Sequence, residues 1–393
     1  MAPPGPALNA DLQATTPTQL ISLERPSPSL FLELEIHTIH CHGSSEDSDR
    51  PISYPHANDL EISTHPISSS LFSSLERFAR LVDIAYCVGT SGVYQPFTCA
   101  SRCKEFPNLE LASTWNTGAL LSDSCGYVAV DHGSEDGKEQ PAIIVAFRGT
   151  YSLTNTVIDL STIPQEYVPY PDPDEGSEHN REDIRCTNCT VHMGFLESWK
   201  QARRLVMPVI KNARARHKQY PIRLVGHSLG GAVACLAALE MKAALGWQDV
   251  HVTTFGEPQL GNTGFVEFVD RVFDLVGQDN SVANLEKQTY QRVTHLGDPV
   301  PLLPLSEWGY ESHAGEIFIN KSNLSPERDD VRLCDGDTDE DCITGGNGAS
   351  RLMLWQLLFA HRDYFWRLGL CVPGGDPSDW GRPPYNMSLL DEL

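Results

Sequence analysis

The sequence pattern with the clearest chemical meaning is a serine between closely spaced glycines. Residues 222–231 read IRLVGHSLGG, a G-x-S-x-G pattern centred on Ser228. An apolar strand pattern precedes this turn and an Ala/Leu-rich helix pattern follows it, which is the context in which such a serine is a nucleophile. Gly226 and Gly230 leave room where strand and helix approach too closely for a Cβ atom, and the helix N-terminus brings backbone N–H groups to the attacked carbonyl. We predict that Ser228 is a nucleophile; the alternative is a glycine-rich turn with a passive serine.

A serine nucleophile needs a histidine base and a carboxylate that orients the histidine. In proteins with this turn the three residues follow the order serine, acid, histidine along the chain. Asp298 comes 70 residues after Ser228, directly after a predicted strand at 291–295. Pro299 would end that strand and hold the carboxylate in a rigid loop. We therefore predict that Asp298 is the acid.

Two histidines follow the predicted acid and compete for the role of base. His361 lies near the C-terminus beyond a predicted apolar helix, where the last loop of a sheet can reach back over Ser228, and we predict that it is the base. His313 lies only 15 residues after the acid and is interpreted as structural. His227 points away from Ser228 along the turn, and His295 lies within a strand. Both are also interpreted as structural, with His295 buried and hydrogen-bonded.

Alternating strand and helix patterns surround these residues. The patterns predict strands at 127–130, 142–147, 222–225, 250–255, 291–295 and 317–319, and helices at 68–86, 194–217, 230–245, 265–275 and 352–358. Such alternation predicts one α/β domain with a largely parallel sheet flanked by helices. We place this domain at 66–372. Residues 1–65 are predicted to be a disordered extension because they are rich in Pro, Ser, Thr and acidic residues, and 373–393 an irregular tail.

The composition excludes several classes of partner. The chain has 393 residues, with 29 Lys and Arg against 52 Asp and Glu, and a formal net charge of −23. This balance argues against nucleic acid and against docking by charge on anionic lipid heads, but a neutral lipid or ester stays compatible with it. No apolar run reaches the ~18 residues of a membrane-spanning helix. The acidic stretch at 335–341 resembles a calcium loop superficially but lacks its glycine and final glutamate, which favours a solvated loop.

Cysteines and sequons predict the secretory route. Eleven cysteines include three close pairs that suit small disulfide loops: Cys99 with Cys103, Cys186 with Cys189, and Cys334 with Cys342. A zinc site is the alternative, but there is only one CxxC pair and no neighbouring ligands complete it. Glycosylation sequons begin at Asn188, Asn320, Asn323 and Asn386. The N-terminal sequence shows no signal-peptide pattern, which conflicts with the expected secretion.

A series of motifs in order carries a resemblance to a known family. The motifs are FRGT at 147–150, VHMGF at 191–195, GHSLG at 226–230, TFGEP at 254–258 with GN at 261–262, RVTHLGDPVPLLP at 292–304 and HRDYF at 361–365. Together they resemble the fungal class 3 lipases, the group of filamentous-fungal triacylglycerol lipases that also includes type A feruloyl esterases. The resemblance covers about residues 70–372. The first 65 residues and the acidic insert at 172–185 have no counterpart in it.

The resemblance implies an α/β-hydrolase fold with a short lid helix and a Ser228–His361–Asp298 triad. It implies an oxyanion hole made by the backbone N–H groups of Thr150 and Leu229, with the Thr150 hydroxyl as a further donor. The disulfides that it implies are Cys87–Cys371, Cys99–Cys103, Cys186–Cys189 and Cys334–Cys342. Cys41, Cys125 and Cys235 remain, and Cys235 reads as a small core residue.

The segment after Thr150 has the pattern of a lid. Four apolar side chains would share one face of a short helix: Leu153, Val157, Ile158 and Leu160. In a lipase such a face covers the nucleophile in water and turns outward onto an oil surface, where lipid covers the exposed apolar area. An ordinary helix packed permanently on the core would have the same pattern. The family resemblance favours the lid.

These expectations predict a serine hydrolase of lipid esters, a triacylglycerol or diacylglycerol lipase. It would need no cofactor or metal and would work as a monomer, with the lipid–water interface as a partner surface. Two alternatives on the same fold are a feruloyl esterase and a phospholipase A1. A third is a catalytically inactive binding protein on the same scaffold.

Overall fold

A computed structural model covers the chain, which divides into two units, residues 1–61 and 62–393. The residues that the structure describes all lie in the second unit: 67–118, 124–135, 137–150, 160, 167–169, 186–277, 282–336, 339–343 and 360–372. The predicted extension at 1–65, the tail at 373–393, the helix at 352–358 and the lid residues Leu153, Val157 and Ile158 lie outside the described residues.

Eight strands form the central sheet in the order β12-β11-β10-β9-β8-β5-β4-β3. Their bounds are β3 Leu109–Asn116, β4 Cys125–Asp131, β5 Ala142–Phe147, β8 Ile222–His227, β9 Val250–Phe255, β10 Tyr290–His295, β11 Glu316–Ile319 and β12 Val331–Leu333. Four further strands make two small antiparallel pairs: β1 Val93–Tyr94 with β2 Thr98–Cys99, and β6 Tyr167–Pro169 with β7 Thr190–His192.

The five strands β5, β8, β9, β10 and β11 run parallel to one another, whereas β3, β4 and β12 run antiparallel to their neighbours. The predicted α/β architecture with a largely parallel sheet is therefore confirmed. Parallel strands end at one common edge, so the residues that follow β5, β8, β9 and β10 are brought together there. The prediction missed β3, although its sequence LELASTWN alternates in burial as a strand does.

Helices pack on both faces of this sheet. Their bounds are α1 Ser69–Ala85, α2 Met193–Arg216, α3 Leu229–Leu239, α4 Thr263–Phe273 and α5 Val282–Leu285. Short 3₁₀ turns occupy Arg102–Glu105, Val300–Leu302, Ser306–Trp308 and Arg328–Asp330. The first four helices match predicted ones, but α3 gives way to a π-type turn at Glu240–Ala244 instead of continuing to 245.

The apolar strand β5 shows why the core has two layers. Ile143, Val145 and Phe147 belong to a cluster with α2, α3 and α4, whereas Ile144 and Ala146 belong to a second cluster with α1 and the segment at 364–368. Both sets of side chains are buried. Because successive strand residues point to opposite faces, an unbroken apolar run is the sequence of a strand covered on both sides.

Four disulfides join cysteines of the described residues: Cys87–Cys371, Cys99–Cys103, Cys186–Cys189 and Cys334–Cys342. These pairs are the ones that the family resemblance implies. Cys125 and Cys235 are buried and form no disulfide within the described part of the chain. In that same part, the structure has no helix with the length and apolar character needed to cross a membrane.

Candidate active site

Ser228 occupies the sharp turn between β8 and α3. Its backbone has φ 58° and ψ −132°, a conformation that costs a non-glycine residue about 1–3 kcal/mol. The Ser228 amide donates to the carbonyl of Phe255 at 2.9 Å, which ties the turn to the end of β9. A Cβ atom at Gly226 would come within 2.3 Å of the Gly230 carbonyl oxygen. Strand and helix therefore approach as closely as the glycine spacing predicts, and the chain stores strain at the serine.

His361 and Asp298 form a buried pair at the same edge of the sheet. Nδ1 of His361 lies 3.0 Å from one carboxylate oxygen of Asp298 and 2.9 Å from the other, and neither side chain is exposed to solvent. The Val300 amide donates to Oδ1 of Asp298 at 3.0 Å, and the Tyr364 hydroxyl donates to Oδ2 at 2.5 Å. The structure thus brings together two of the three predicted side chains, across 63 residues of sequence.

The hydrogen bonds to Asp298 keep it ionised. Burial raises the pKa of this carboxyl, but the electrostatic effect of the neighbouring His361 and the hydrogen bonds from His361, Tyr364 and Val300 outweigh burial and hold the pKa below its usual value. Nδ1 of His361 faces a carboxylate and must carry the proton, so the lone pair of the neutral ring is on Nε2. Nε2 is buried and has no hydrogen-bond partner among the described residues. It is therefore free to accept a proton from a nucleophile.

His361 is held against the residue that directly precedes Ser228. Nε2 of His227 lies 2.7 Å from the backbone carbonyl of His361, and the two rings stack with centroids 4.7 Å apart. Ser228 is itself 1% exposed. The predicted base and the turn that carries the predicted nucleophile are thus packed together inside the protein.

The end of β5 packs directly on the nucleophile turn. A Cβ atom at Gly149 would lie 2.9 Å from Cβ of Ser228, so the chain leading to Thr150 runs beside the serine. The Thr150 hydroxyl is buried and has no hydrogen-bond partner in the described part of the chain. Leu229 is the first residue of α3, where helical N–H groups point out of the helix end. These positions suit the two residues that the family resemblance names as oxyanion donors.

The other histidines near the site have different surroundings. Nδ1 of His313 lies 2.7 Å from the Ala314 carbonyl oxygen and Nε2 lies 3.0 Å from the Glu257 carboxylate, so both ring nitrogens are engaged by groups outside the predicted triad. His295 is buried, and burial lowers its pKa although Asp298 opposes that effect. His227 bonds through both nitrogens, to Tyr86 and to the His361 backbone. The contacts of His313 and His227 agree with their structural interpretation. His295 is buried as predicted and bonds to the backbone of Lys321, but its Nδ1 has no hydrogen-bond partner among the described residues.

Sequence reasoning missed two tyrosines of the site. Tyr364 donates to Asp298 and Tyr86 bonds to His227. Tyr364 lies within the motif HRDYF, three residues after His361, so its closeness to the base was a usable signal. Tyr86 lies 141 residues before its partner and ends a helix, and the sequence has no local sign of this contact.

Two buried groups of potential metal ligands occur among the described residues. One consists of Cys235, Glu257 and His313, and the other of Glu316, Cys334 and Cys342. In the first group Glu257 already accepts hydrogen bonds from His313 and from Tyr290, at 3.0 and 2.7 Å. In the second, the two cysteines are joined as a disulfide.

Comparisons with known proteins agree with this geometry. The family model described as "Lipase (class 3)" matches residues 144–308, a span that holds both Ser228 and Asp298. The chain is 55% identical over 380 residues to "Secreted mono- and diacylglycerol lipase 2" of Gibberella zeae, covering 87% of this chain and 91% of that protein. It is 57% identical over 360 residues to "Lipase A" of Sodiomyces alcalophilus, covering 81% and 86%.

A solved structure extends the likeness to three dimensions. The crystal structure of Lip2 lipase from Yarrowia lipolytica superposes with a TM-score of 0.67 at 30% identity and covers 79% of this chain and 98% of that one. A strained serine at a strand-to-helix turn and a histidine–aspartate pair beside it are the parts of an ester-cleaving centre. Because a curated lipase shares more than half of its residues with the chain over nine tenths of that lipase's length, the chain belongs to the class 3 lipase family of carboxylic ester hydrolases.

Proposed function

We propose that this enzyme is a secreted lipase that hydrolyses acylglycerols, with mono- and diacylglycerols as preferred substrates and with Ser228, His361 and Asp298 as its catalytic residues. The observation that carries the catalytic assignment is the buried His361–Asp298 pair packed against the turn of Ser228, with an unpartnered Nε2 in the described structure. The substrate class rests on the relative named a mono- and diacylglycerol lipase.

The reaction begins with attack of Ser228 Oγ on the ester carbonyl carbon. His361 Nε2 takes the serine proton as the new C–O bond forms, and the resulting imidazolium is stabilised by the ionised Asp298. When the tetrahedral intermediate collapses, the bond to the glyceride oxygen breaks and Nε2 returns the proton to that oxygen. Water then attacks the acyl-enzyme by the same route, which releases the fatty acid and restores Ser228.

The oxyanion of each intermediate needs hydrogen-bond donors that are already in place. The backbone N–H groups of Thr150 and Leu229 fill this role, and the Thr150 hydroxyl adds a third donor. Its burial without a partner in the described structure supports this assignment, because a buried hydroxyl costs free energy unless something bonds to it. Each such donor contributes on the order of 10²–10³-fold to the rate.

Secretion and interfacial action complete the proposal. The relative from Gibberella zeae is named a secreted enzyme, and four disulfides in the described structure suit an oxidising compartment. The net charge of −23 favours a neutral oil surface over an anionic membrane. The apolar residues Leu153, Val157, Ile158 and Leu160 would form the face of the lid that meets this surface. We expect the enzyme to work there as a monomer.

One substrate series tests the proposal. Wild type, Ser228→Ala and the control Ser198→Ala are assayed on mono-, di- and triolein, phosphatidylcholine and methyl ferulate. Ser198 is a matched control because it is also a fully buried serine, on α2, and its hydroxyl has no partner among the described residues. We expect the highest turnover on mono- and diolein, a loss of about 10⁶-fold in Ser228→Ala, and no loss in the control.

Two outcomes would contradict the proposal. Full activity of Ser228→Ala would exclude this serine as the nucleophile. Higher turnover on methyl ferulate or on phosphatidylcholine than on any glyceride would replace the substrate class with that of a feruloyl esterase or a phospholipase.

A further inference from the structure

A chain of hydrogen bonds joins Gly149, which precedes the proposed oxyanion donor Thr150, to His361, the proposed base. The Gly149 amide bonds to the hydroxyl oxygen of Tyr86, and that hydroxyl lies 2.5 Å from Nδ1 of His227. Nε2 of the same ring lies 2.7 Å from the backbone carbonyl of His361. We call this chain of contacts the Tyr86–His227 relay.

The direction of every bond in the relay can be assigned. A carbonyl oxygen only accepts, so Nε2 of His227 must carry a proton to bond to His361. Burial, together with the neighbouring His361, lowers the pKa of His227 to about 3, so the ring is neutral and holds no second proton. Nδ1 therefore accepts from the Tyr86 hydroxyl, and the Tyr86 oxygen accepts from the Gly149 amide. The Gly149 amide only donates and the His361 carbonyl only accepts, whereas Tyr86 and His227 each accept one bond and donate one.

We propose that Tyr86 and His227 are positioning residues, and that their relay fixes the distance between the loop at Gly149 and Thr150 and the catalytic base His361. The inference rests on the proposed function of Ser228 and His361. By donating to Nδ1, Tyr86 selects the tautomer of His227 in which Nε2 carries the proton and donates to the His361 carbonyl. The ring of His227 is also the surface on which the ring of His361 stacks.

Residues at the C-terminal end of α1 also hold the rest of the segment at 361–371, which carries His361. Asp83 accepts from the Gly369 amide at 2.8 Å, and Cys87 is joined to Cys371. Tyr86 lies between these two anchors and is 2% exposed. The anchors hold the far end of the segment at 361–371, and at its catalytic end the relay acts together with the bonds of His361 and Tyr364 to Asp298.

Removal of the Tyr86 hydroxyl should let the end of the segment at His361 move, while the phenyl ring still fills its place in the core. In Tyr86→Phe, Nδ1 of His227 loses its donor and the neutral ring can hold its proton on either nitrogen. In the wrong tautomer a lone pair faces the His361 carbonyl, and the base moves away. A displacement of about 1 Å at a catalytic group costs about 10²-fold in rate.

A matched control separates positioning from stability. Tyr127 is another fully buried tyrosine whose hydroxyl donates to α1, to the Leu81 carbonyl at 2.8 Å, but it lies outside the site. Wild type, Tyr86→Phe and Tyr127→Phe are compared on p-nitrophenyl butyrate and on an alkyl butyrate. Active enzyme is counted by titration with an organophosphonate, so that misfolded protein does not enter the rates.

The two esters differ in what they need from His361. The alkoxide of the alkyl ester leaves only with a proton from the base, whereas nitrophenolate leaves without one. For Tyr86→Phe we expect kcat to fall about 10-fold on the nitrophenyl ester and about 100-fold on the alkyl ester, with KM unchanged. For Tyr127→Phe we expect a lower melting temperature and a kcat within about twofold of wild type on both esters.

A double variant tests whether the tyrosine acts through His227. His227→Phe keeps a ring on which His361 can stack but removes both the acceptor for Tyr86 and the N–H that donates to the His361 carbonyl. Adding Tyr86→Phe to it should cause less than about a twofold further loss, because residues that act as one unit are not additive. Losses that multiply in the double variant would overturn the relay.

A second result would also overturn it: equal losses on the two esters in Tyr86→Phe, or losses no larger than those of Tyr127→Phe. These failures are distinct from failure of the proposed function. That function is judged on wild type and Ser228→Ala alone, and it stands whether or not the relay does.

Discussion

The hydroxyl of Tyr364 lies 2.5 Å from Oδ2 of Asp298, the same oxygen that Nδ1 of His361 approaches at 2.9 Å. Burial and the charge of Asp298 raise the pKa of Tyr364 well above its usual value, so the phenol stays protonated and donates. The carboxylate is thereby held in one rotation, with an oxygen aimed at the imidazole. Tyr364 therefore acts on His361, the proposed base, only through Asp298, the proposed acid.

Replacing the acid with its amide should reverse the tautomer of the base. In Asp298→Asn the side-chain N–H₂ can face Nδ1 of His361, which then accepts and leaves the proton on Nε2. We expect kcat to fall about 10⁴-fold with little change in KM. Steady-state kinetics on a soluble ester measure this loss.

Asp270→Asn is the matched control for that change. Asp270 is also a buried aspartate that accepts a backbone amide, from Ala314 at 3.0 Å, but it lies outside the site. The Asp270→Asn variant should have a lower free energy of unfolding than wild type and an unchanged kcat. A kcat for Asp298→Asn within tenfold of that control would contradict the assignment of the acid.

The Thr150 hydroxyl should contribute to the rate and not to binding. Thr150→Val keeps the shape of the side chain and the backbone N–H but removes the hydroxyl, so we expect kcat to fall about 10²-fold at constant KM. Thr150→Ser retains the donor and should stay within a few-fold of wild type. If the valine and serine variants have the same kcat, the hydroxyl is not an oxyanion donor.

The sequence predicted the parts of the site that depend on local spacing. The turn of Ser228 follows from glycines two residues to either side, and the chain order of acid and base follows from the direction of successive parallel strands. Both are properties of a short segment or of a regular sheet. The core strands β5, β8, β9 and β10 were also predicted from short local patterns, most clearly β5, which is a continuous apolar run.

Contacts between distant segments could not be predicted in this way. Tyr86 reaches His227 across 141 residues, and only the folded packing of α1 on the sheet brings them together. The end of α3 is a similar case. Glu240 opens the π-type turn there, and its carboxylate accepts from Trp199 at 3.0 Å and from Arg203 at 2.8 Å, both on α2. A helix pattern read along one segment contains no sign of these partners.

The disulfide between Cys87 and Cys371 should contribute more to stability than the small disulfide loops. It closes a loop with a sequence separation of 284, against 4 for Cys99–Cys103. Loop-closure entropy gives about 5–6 kcal/mol for the first and about 2 kcal/mol for the second. Paired serine variants of each disulfide, unfolded in urea, measure the difference. Equal losses would contradict the entropic argument.

Acid should destabilise the protein partly through His227. Its pKa is lowered to about 3 in the folded state, by burial first and by His361 second, whereas an unfolded histidine has a pKa of about 6.5. Between these values the unfolded state binds a proton that the folded state does not. The free energy of unfolding therefore falls as the pH falls, by about 1.4 kcal/mol per pH unit for this group.

Urea unfolding of wild type and His227→Gln at about pH 6, 5 and 4 measures that slope, since this window lies between the two pKa values. The variant should be less stable near pH 6 and show a shallower slope toward pH 4. Parallel curves for the two proteins would show that His227 is not the group that titrates. The pKa of Asp298 is held low in the folded state, so this group lowers the free energy of unfolding only below about pH 4. Above that pH it is ionised in both the folded and the unfolded state.

The predicted lid should make activity depend on an oil surface. Leu160 is 4% exposed and belongs to the core cluster that includes α2 and α3. If it and Leu153, Val157 and Ile158 open together, they expose apolar area that only lipid can cover, so specific activity on tributyrin should rise sharply above its solubility limit. Equal activity above and below that limit would contradict the lid.

Serine substitutions locate the effect on the lid itself. Leu153→Ser with Val157→Ser should lower activity on emulsified tributyrin more than on the dissolved ester, because less apolar area meets the oil while the triad is unchanged. Leu205→Ser is the matched control, since Leu205 is an apolar residue of α2 that is 51% exposed and lies outside the lid. An equal loss in the control would assign interfacial binding to general surface hydrophobicity and not to the segment after Thr150.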